Sequence, residues 1–227
     1  MTWVLDNLDL IGGLTVEHLR QSVIPIALGL VLSLPLGWLA WRYRLTQGLV
    51  LTVVGLLYTI PSLALFAILP PMLGISFLSE VNLIIALTIY AVAIMTRFVA
   101  DALASVEPSV RQSAIAVGYG PWRRFWQVEL PLAGPVVLAG LRVTAVSTIS
   151  LATVGVLIGI DNLGYLFTNG YERSILSSIL AGVVATVVIA LAIDVLLQFA
   201  GRLAMPWSAL PKKAAGAPGG KPQQARS

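Results

Sequence analysis

Two charged residues stand where charge is costly. Arg142 and Asp194 each interrupt an otherwise apolar run long enough to cross a membrane. A charge at the bilayer centre costs roughly 2.5–3.5 kcal/mol on insertion scales. Arg142 lies about two to three turns from one end of its run, and Asp194 about two turns before Arg202. Similar depth predicts that they pair, or that each meets a backbone group. A helix–helix clamp is the favoured reading, ahead of a gating role or snorkelling to the headgroups. Tyr58, Thr59, Ser62, Tyr90 and Thr96 place polar groups within other apolar runs. They are candidates to line a solute path. The alternative is ordinary packing, with hydroxyls bonded back to helix carbonyls. Aromatic rings among them offer cation–π attraction to a quaternary ammonium without a buried anion.

Other chemistry is excluded. With no cysteine and one histidine, the chain has neither thiol chemistry nor a Cys/His metal cluster. His18, near the N-terminus, reads as a surface residue on the outer side. Ser113 and Ser147 therefore have no base to form a triad, and no phosphate-binding Walker loop occurs. The chain reads as a non-catalytic protein with no metal site.

The elements that must carry these residues are membrane helices. Of 227 residues, 58% are hydrophobic and 11% charged, with mean hydropathy +0.91. Soluble domains carry about 25% charged residues. Lipid is the solvent such a sequence requires, with about 20 apolar residues per crossing. Five spans follow, at about 22–41, 48–69, 81–97, 132–160 and 174–203. Pro25, Pro35 and Pro61 lie inside spans, which membrane helices tolerate, and Pro70-Pro71 is expected to end the second. Residues 1–21 read as an external N-terminal segment. Residues 204–227 read as a basic, disordered cytoplasmic tail. Placing the N-terminus outside puts eleven Lys and Arg on the inner side and two, Arg20 and Arg173, on the outer. The positive-inside rule then fixes N-out, C-in. The net charge of +4 lies between spans and in the tail, which argues for a membrane orientation signal and against nucleic acid.

One connection, residues 98–131, is too long for a turn. Leu103, Val106, Val110, Ala114 and Val117 recur at helical spacing as one apolar stripe. Gly118-Tyr119-Gly120-Pro121 stops that helix, since glycine supplies a left-handed cap and proline cannot continue it. Trp122, Phe125, Trp126 and Glu129 share a face of a second short helix, with Arg123 and Arg124 facing elsewhere. The pattern fits a hairpin lying in the lipid interface or a docking site for a soluble partner.

The spacing within this hairpin resembles the "EAA" loop of binding-protein-dependent ABC importer permeases: Glu-Ala-Ala, three residues, Gly, nine residues, Ile, any residue, Leu-Pro. Here Gln112 and Ser113 replace Glu and Ala. Ala114, Gly118, Leu130 and Pro131 match, and Val128 is a near match. Thr59-Ile60-Pro61-Ser62-Leu63-Ala64 and Asn162-Leu163-Gly164-Tyr165-Leu166 are similar to permeases for glycine betaine, choline and carnitine. Methionine-type permeases share the general fold. The resemblance implies an all-α permease with the loop as a cytoplasmic coupling hairpin between spans three and four. Gln112, Ser113, Ala114, Gly118, Tyr119, Gly120, Arg123, Val128, Leu130 and Pro131 would form that hairpin. It implies a separate ATPase that binds ATP and magnesium, a second permease copy or paralogue, an extracytoplasmic solute-binding protein and a bacterial or archaeal cytoplasmic membrane. Residues 159–171 then read as an external loop or re-entrant turn. Asp161, Asn162 and Tyr165 are its candidates for contact with the binding protein. The rival readings are an amino-acid permease of the methionine type and a self-contained secondary transporter or channel.

Overall fold

The computed structural model describes residues 2–209, and most of the expected tail lies outside them. Among these residues the regular elements are all helical. In chain order the α-helices are α1 (Thr2–Asp6), α2 (Leu8–Arg42), α3 (Arg44–Thr59), α4 (Ser62–Leu73), α5 (Glu80–Ala104), α6 (Pro108–Ala116), α7 (Pro121–Arg124), α8 (Leu130–Ala152), α9 (Gly164–Glu172) and α10 (Leu176–Ala204), with short tighter or wider helical turns at Phe125–Glu129, Thr153–Ile158 and Pro206–Ala209. Four helical stretches are long and apolar enough to cross a membrane, and a fifth span results if the bent pair α3–α4 counts as one.

The second span, expected at 48–69 with Pro61 inside it, is therefore two helices and not one. The chain turns by 105° between α3 and α4. Pro61 has no N–H to donate and pushes the preceding Ile60 into extended backbone, φ −65°, ψ 127°. Pro70 and Pro71 do not end this unit. They lie within α4, which closes at Gly74 in the left-handed conformation.

The first span also differs. Helix α2 begins at Leu8 rather than near Ser22, and its 35 residues extend about 52 Å at 1.5 Å per residue. Its first four turns continue the bundle and bury His18, Gln21 and Ser22, so residues 8–21 are not a separate segment. Helices α2 and α5 form the closest pair in the core. A Cβ on Gly29 would lie 2.5 Å from the Ala91 Cβ, and one on Gly37 2.5 Å from Val99. Only glycine permits that approach, and small residues at such crossings are the usual device of membrane helix packing. Met95, Val99 and Leu103 of α5, with Ala133, Ala145 and Ile149 of α8, complete this core. In contrast, α10 leaves most of its side chains exposed, among them Val184, Val188, Leu191 and Leu196.

Candidate functional site

The hairpin between α5 and α8 has two pieces, but its first helix is not the continuous one the apolar stripe suggested. Helix α5 runs on past Arg97 to Ala104, and α6 starts afresh at Pro108. Proline suits the first turn of a helix and holds Glu107 extended, at φ −57°, ψ 132°. The break redirects the stripe. Leu103, Val106 and Ala114 are buried, whereas Val110 and Val117 are exposed. Gly118 adopts φ +88°. Its N–H donates to Ile115 O and the Tyr119 N–H to Ala114 O, both at 3.0 Å. These two bonds are a Schellman cap.

Beyond the cap, α7 leads to a wide turn, Phe125–Glu129, in which the Leu130 N–H donates to Phe125 O. Pro131 has no N–H for Gln127, so the regular ladder is already interrupted here. The wide turn brings Arg124 against Glu129, with Nε 2.8 Å from Oε1. Arg124 is thus buried inside the hairpin and does not face away from it as Arg123 does. Arg123 is exposed, donating to Gln127 at 2.8 Å and resting over the Tyr119 ring. Glu129 is 1% exposed and also accepts from Arg111 Nε at 3.2 Å. The Arg111 guanidinium lies 4.4 Å from the centre of the Trp41 ring at the end of α2. Phe125 meets Trp38 of α2 edge-on at 6.2 Å. Gln112, Ser113, Ile115, Val117, Gly118, Gly120 and Trp122 are exposed on the opposite side. Tyr119, Val128, Leu130 and Pro131 are intermediate. The Arg111–Glu129–Arg124 cluster carried no signal in the sequence, because its members share neither a helix face nor a motif.

The α3–α4 break shapes a second feature. The extended Ile60 turns its carbonyl out of the helical ladder. Such a carbonyl within a membrane needs a partner, and the Tyr90 hydroxyl of α5 donates to Ile60 O. Tyr58 meets the Tyr90 ring edge-on at 6.2 Å. Tyr58, Ser62 and Tyr90 line a cavity of about 320 Å³ with Ser147 and Thr148 of α8. A second cavity, about 380 Å³, shares Tyr58 and Ser147 and extends to Arg97 and Asp101. Of the five expected path residues, three therefore converge. Thr59 instead donates back to Leu56 O at 2.7 Å. Thr96 is fully buried, its carbonyl close to Gly37. Ser147 and Thr148 were missed, because a hydroxyl on an apolar helix reads equally well as packing.

Arg142 and Asp194 meet. Nε–Oδ1 is 2.6 Å and Nη2–Oδ2 2.7 Å, a parallel two-bond fork that joins α8 to α10. The pair stays partly exposed and borders a cavity of about 460 Å³ that includes Val143 and Ser147.

At the far end of the bundle the expected contact residues separate. Asp161 is exposed and Tyr165 intermediate, but Asn162 is fully buried. Its amide donates to Ala152 O at 2.8 Å and Gln21 Oε1 at 3.0 Å, and its Oδ1 accepts from Gly164 N at 2.8 Å. It is a structural tie between α2, α8 and α9, with no group free for a partner. His18 is likewise fully buried, not on the surface. Its Nε2 donates to Ile149 O at 3.1 Å, because the early start of α2 turns this face onto α8. Helix α9 occupies the expected external loop and packs Gly170 against Ile179 of α10.

A bundle of membrane-length helices with one broken span, a largely apolar cavity edged by Tyr58, Ser62, Tyr90 and Ser147 beside the break and a helical hairpin between α5 and α8 defines a multi-span membrane protein. The chain belongs to the family of binding-protein-dependent transport system inner membrane components, whose family model matches residues 26–207. It is similar to the osmoprotectant import permease protein OsmW of Salmonella typhimurium, 32% identical over 201 residues, covering 86% of this chain and 92% of that protein. It is also similar to the choline transport system permease protein OpuBB of Bacillus subtilis, 33% identical over 195 residues, covering 85% and 87%. In fold it matches a chain of the inward-facing MetNI methionine ABC transporter, with TM-score 0.74 at 21% identity, covering 90% of this chain and 99% of that one.

Proposed function

We propose that this chain is the permease subunit of an ABC importer for osmoprotectants of the quaternary-ammonium class, such as glycine betaine, choline or carnitine. The observation that carries the reading is the two-sided hairpin α6–α7. Its inner face is held to the bundle by Arg111 against Trp41 and Leu103 O and by Phe125 against Trp38, while its outer face offers Gln112, Ser113, Val117 and Trp122 to a partner. In this reading the hairpin is cytoplasmic and docks a separate ATPase, which holds ATP and magnesium. The N-terminus is outside and the C-terminus inside. Two permease subunits pair, and a solute-binding protein docks at the opposite end, where Asp161 and Tyr165 are accessible. The relatives named for osmoprotectant and choline transport support the solute class. So does the Tyr58–Tyr90 corner, whose rings attract a cation with no buried anion.

The test is uptake of radiolabelled choline and glycine betaine into proteoliposomes holding the permease, its ATPase and the binding protein. Uptake that needs ATP and all three components, and that excess methionine does not compete, supports the reading. Uptake by the permease alone would overturn it in favour of a secondary transporter. Competition by methionine would move it to the amino-acid class.

A further inference from the structure

We propose that Arg111 is the positioning residue through which α6 moves the membrane helices, with Glu129 as its anchor; this rests on the reading of α6–α7 as the ATPase-docking hairpin. A displacement imposed on α6 reaches the bundle only through what holds α6 there. Its packing holds little, since Ala114 is its one buried residue. Its backbone is interrupted on both sides, by the extended Glu107 and by the Gly118 cap. A helix of nine residues is also marginal on its own.

Arg111 supplies the missing connection. It touches the ends of three different spans: the Trp41 ring of α2 at 4.4 Å, Leu103 O of α5 at 3.3 Å, and Glu129 Oε1 at the entry to α8 at 3.2 Å. Glu129 is itself fixed, since it is buried and shared with Arg124 at 2.8 Å. A buried carboxylate between two guanidinium groups resists displacement, because losing either partner strands charge in a dry site. The side chain must be arginine. One planar fork donates through Nε and Nη2 while its face lies over the indole, whereas the compact ammonium of lysine has neither the span of the fork nor a planar face to stack.

The experiment uses the complete importer in proteoliposomes and reads two quantities: ATPase subunit retained on purification, and solute taken up per ATP hydrolysed. Arg111→Lys keeps the charge and removes the fork. Glu129→Gln removes the anchor without touching the docking face. Both are expected to retain the ATPase and to lower uptake per ATP roughly tenfold, the scale on which one hydrogen bond to a charged group acts. A wild-type ratio in Arg111→Lys would overturn the proposal. So would loss of the ATPase in Arg111→Lys alongside its retention in Glu129→Gln, since Arg111 would then be a direct docking contact. Should the ion-pair variants not assemble, Trp41→Leu leaves both ion pairs in place. A lowered ratio there supports the proposal, and an unchanged one overturns it. Failure of the wild-type permease to hold any ATPase would remove the docking reading itself, and this proposal with it.

Discussion

Replacing Gly118 by valine isolates the contribution of one backbone conformation to ATPase docking. At φ +88° a Cβ on Gly118 would meet nothing within 4 Å. The new Cβ therefore meets no neighbour, and the cost argued from it is conformational. An L-residue in the left-handed region costs about 1–2 kcal/mol, and a β-branched one lies at the upper end. The chain can escape that strain by opening the cap, which gives up the bonds from Gly118 N to Ile115 O and from Tyr119 N to Ala114 O. Gly118 is exposed and Tyr119 half-exposed, so water replaces the lost partners at small net cost; the free chain relaxes, and docking must restore the strain. If docking requires the formed turn, the strain appears as lost affinity. At 1.4 kcal/mol per decade, that is about five- to thirtyfold. Asparagine tolerates this conformation far better and serves as the matched control, within about threefold of wild type. Titration of the purified permease with its ATPase subunit in mild detergent measures both. Equal affinity for the wild-type, valine and asparagine proteins would refute the argument. Equal losses in the two variants would also refute it, because they would point to side-chain bulk rather than backbone strain.

Arg142→Gln and Asp194→Asn each leave the remaining charge without its fork, and each is expected to abolish most uptake in the proteoliposome assay. Exchanging the two residues, with arginine at 194 and aspartate at 142, is expected to restore part of it if the pair is a clamp. Tyr90→Phe removes the donor to Ile60 O and leaves a partly buried carbonyl without its protein partner, at about 1 kcal/mol. Lower thermal stability in detergent, with normal membrane insertion, is the expected outcome. Gly37→Leu drives a side chain into Val99, an overpacking that costs about 1–3 kcal/mol. The yield of monodisperse protein on size-exclusion chromatography should fall, while Gly48→Leu, with open space around it, should not change it.

The hairpin was legible because its stops are local. Gly118 and Pro121 fix backbone geometry through their own covalent structure, so the turn from α6 to α7 was outlined by them, whereas the break ahead of Pro108 was hidden by an apolar stripe that runs through it. The spans were legible because lipid demands an unbroken apolar run. The intramembrane charges pointed to each other for the same reason, since each is costly without a partner.

What the sequence by itself determined, then, is which segments enter the membrane, where the hairpin turns, and that Arg142 and Asp194 need partners. Tertiary structure alone decided which proline breaks a helix. Pro25, Pro35, Pro70 and Pro135 all remain inside helices, while Pro61 turns the chain by 105°. The break becomes tenable where a group thirty positions away, the Tyr90 hydroxyl, takes the freed Ile60 carbonyl. The Arg111–Glu129–Arg124 cluster has the same origin. Residues five apart do not share a face of a regular α-helix, and only the wide turn ahead of Pro131, with α6 folded back on it, brings both guanidinium groups to one carboxylate.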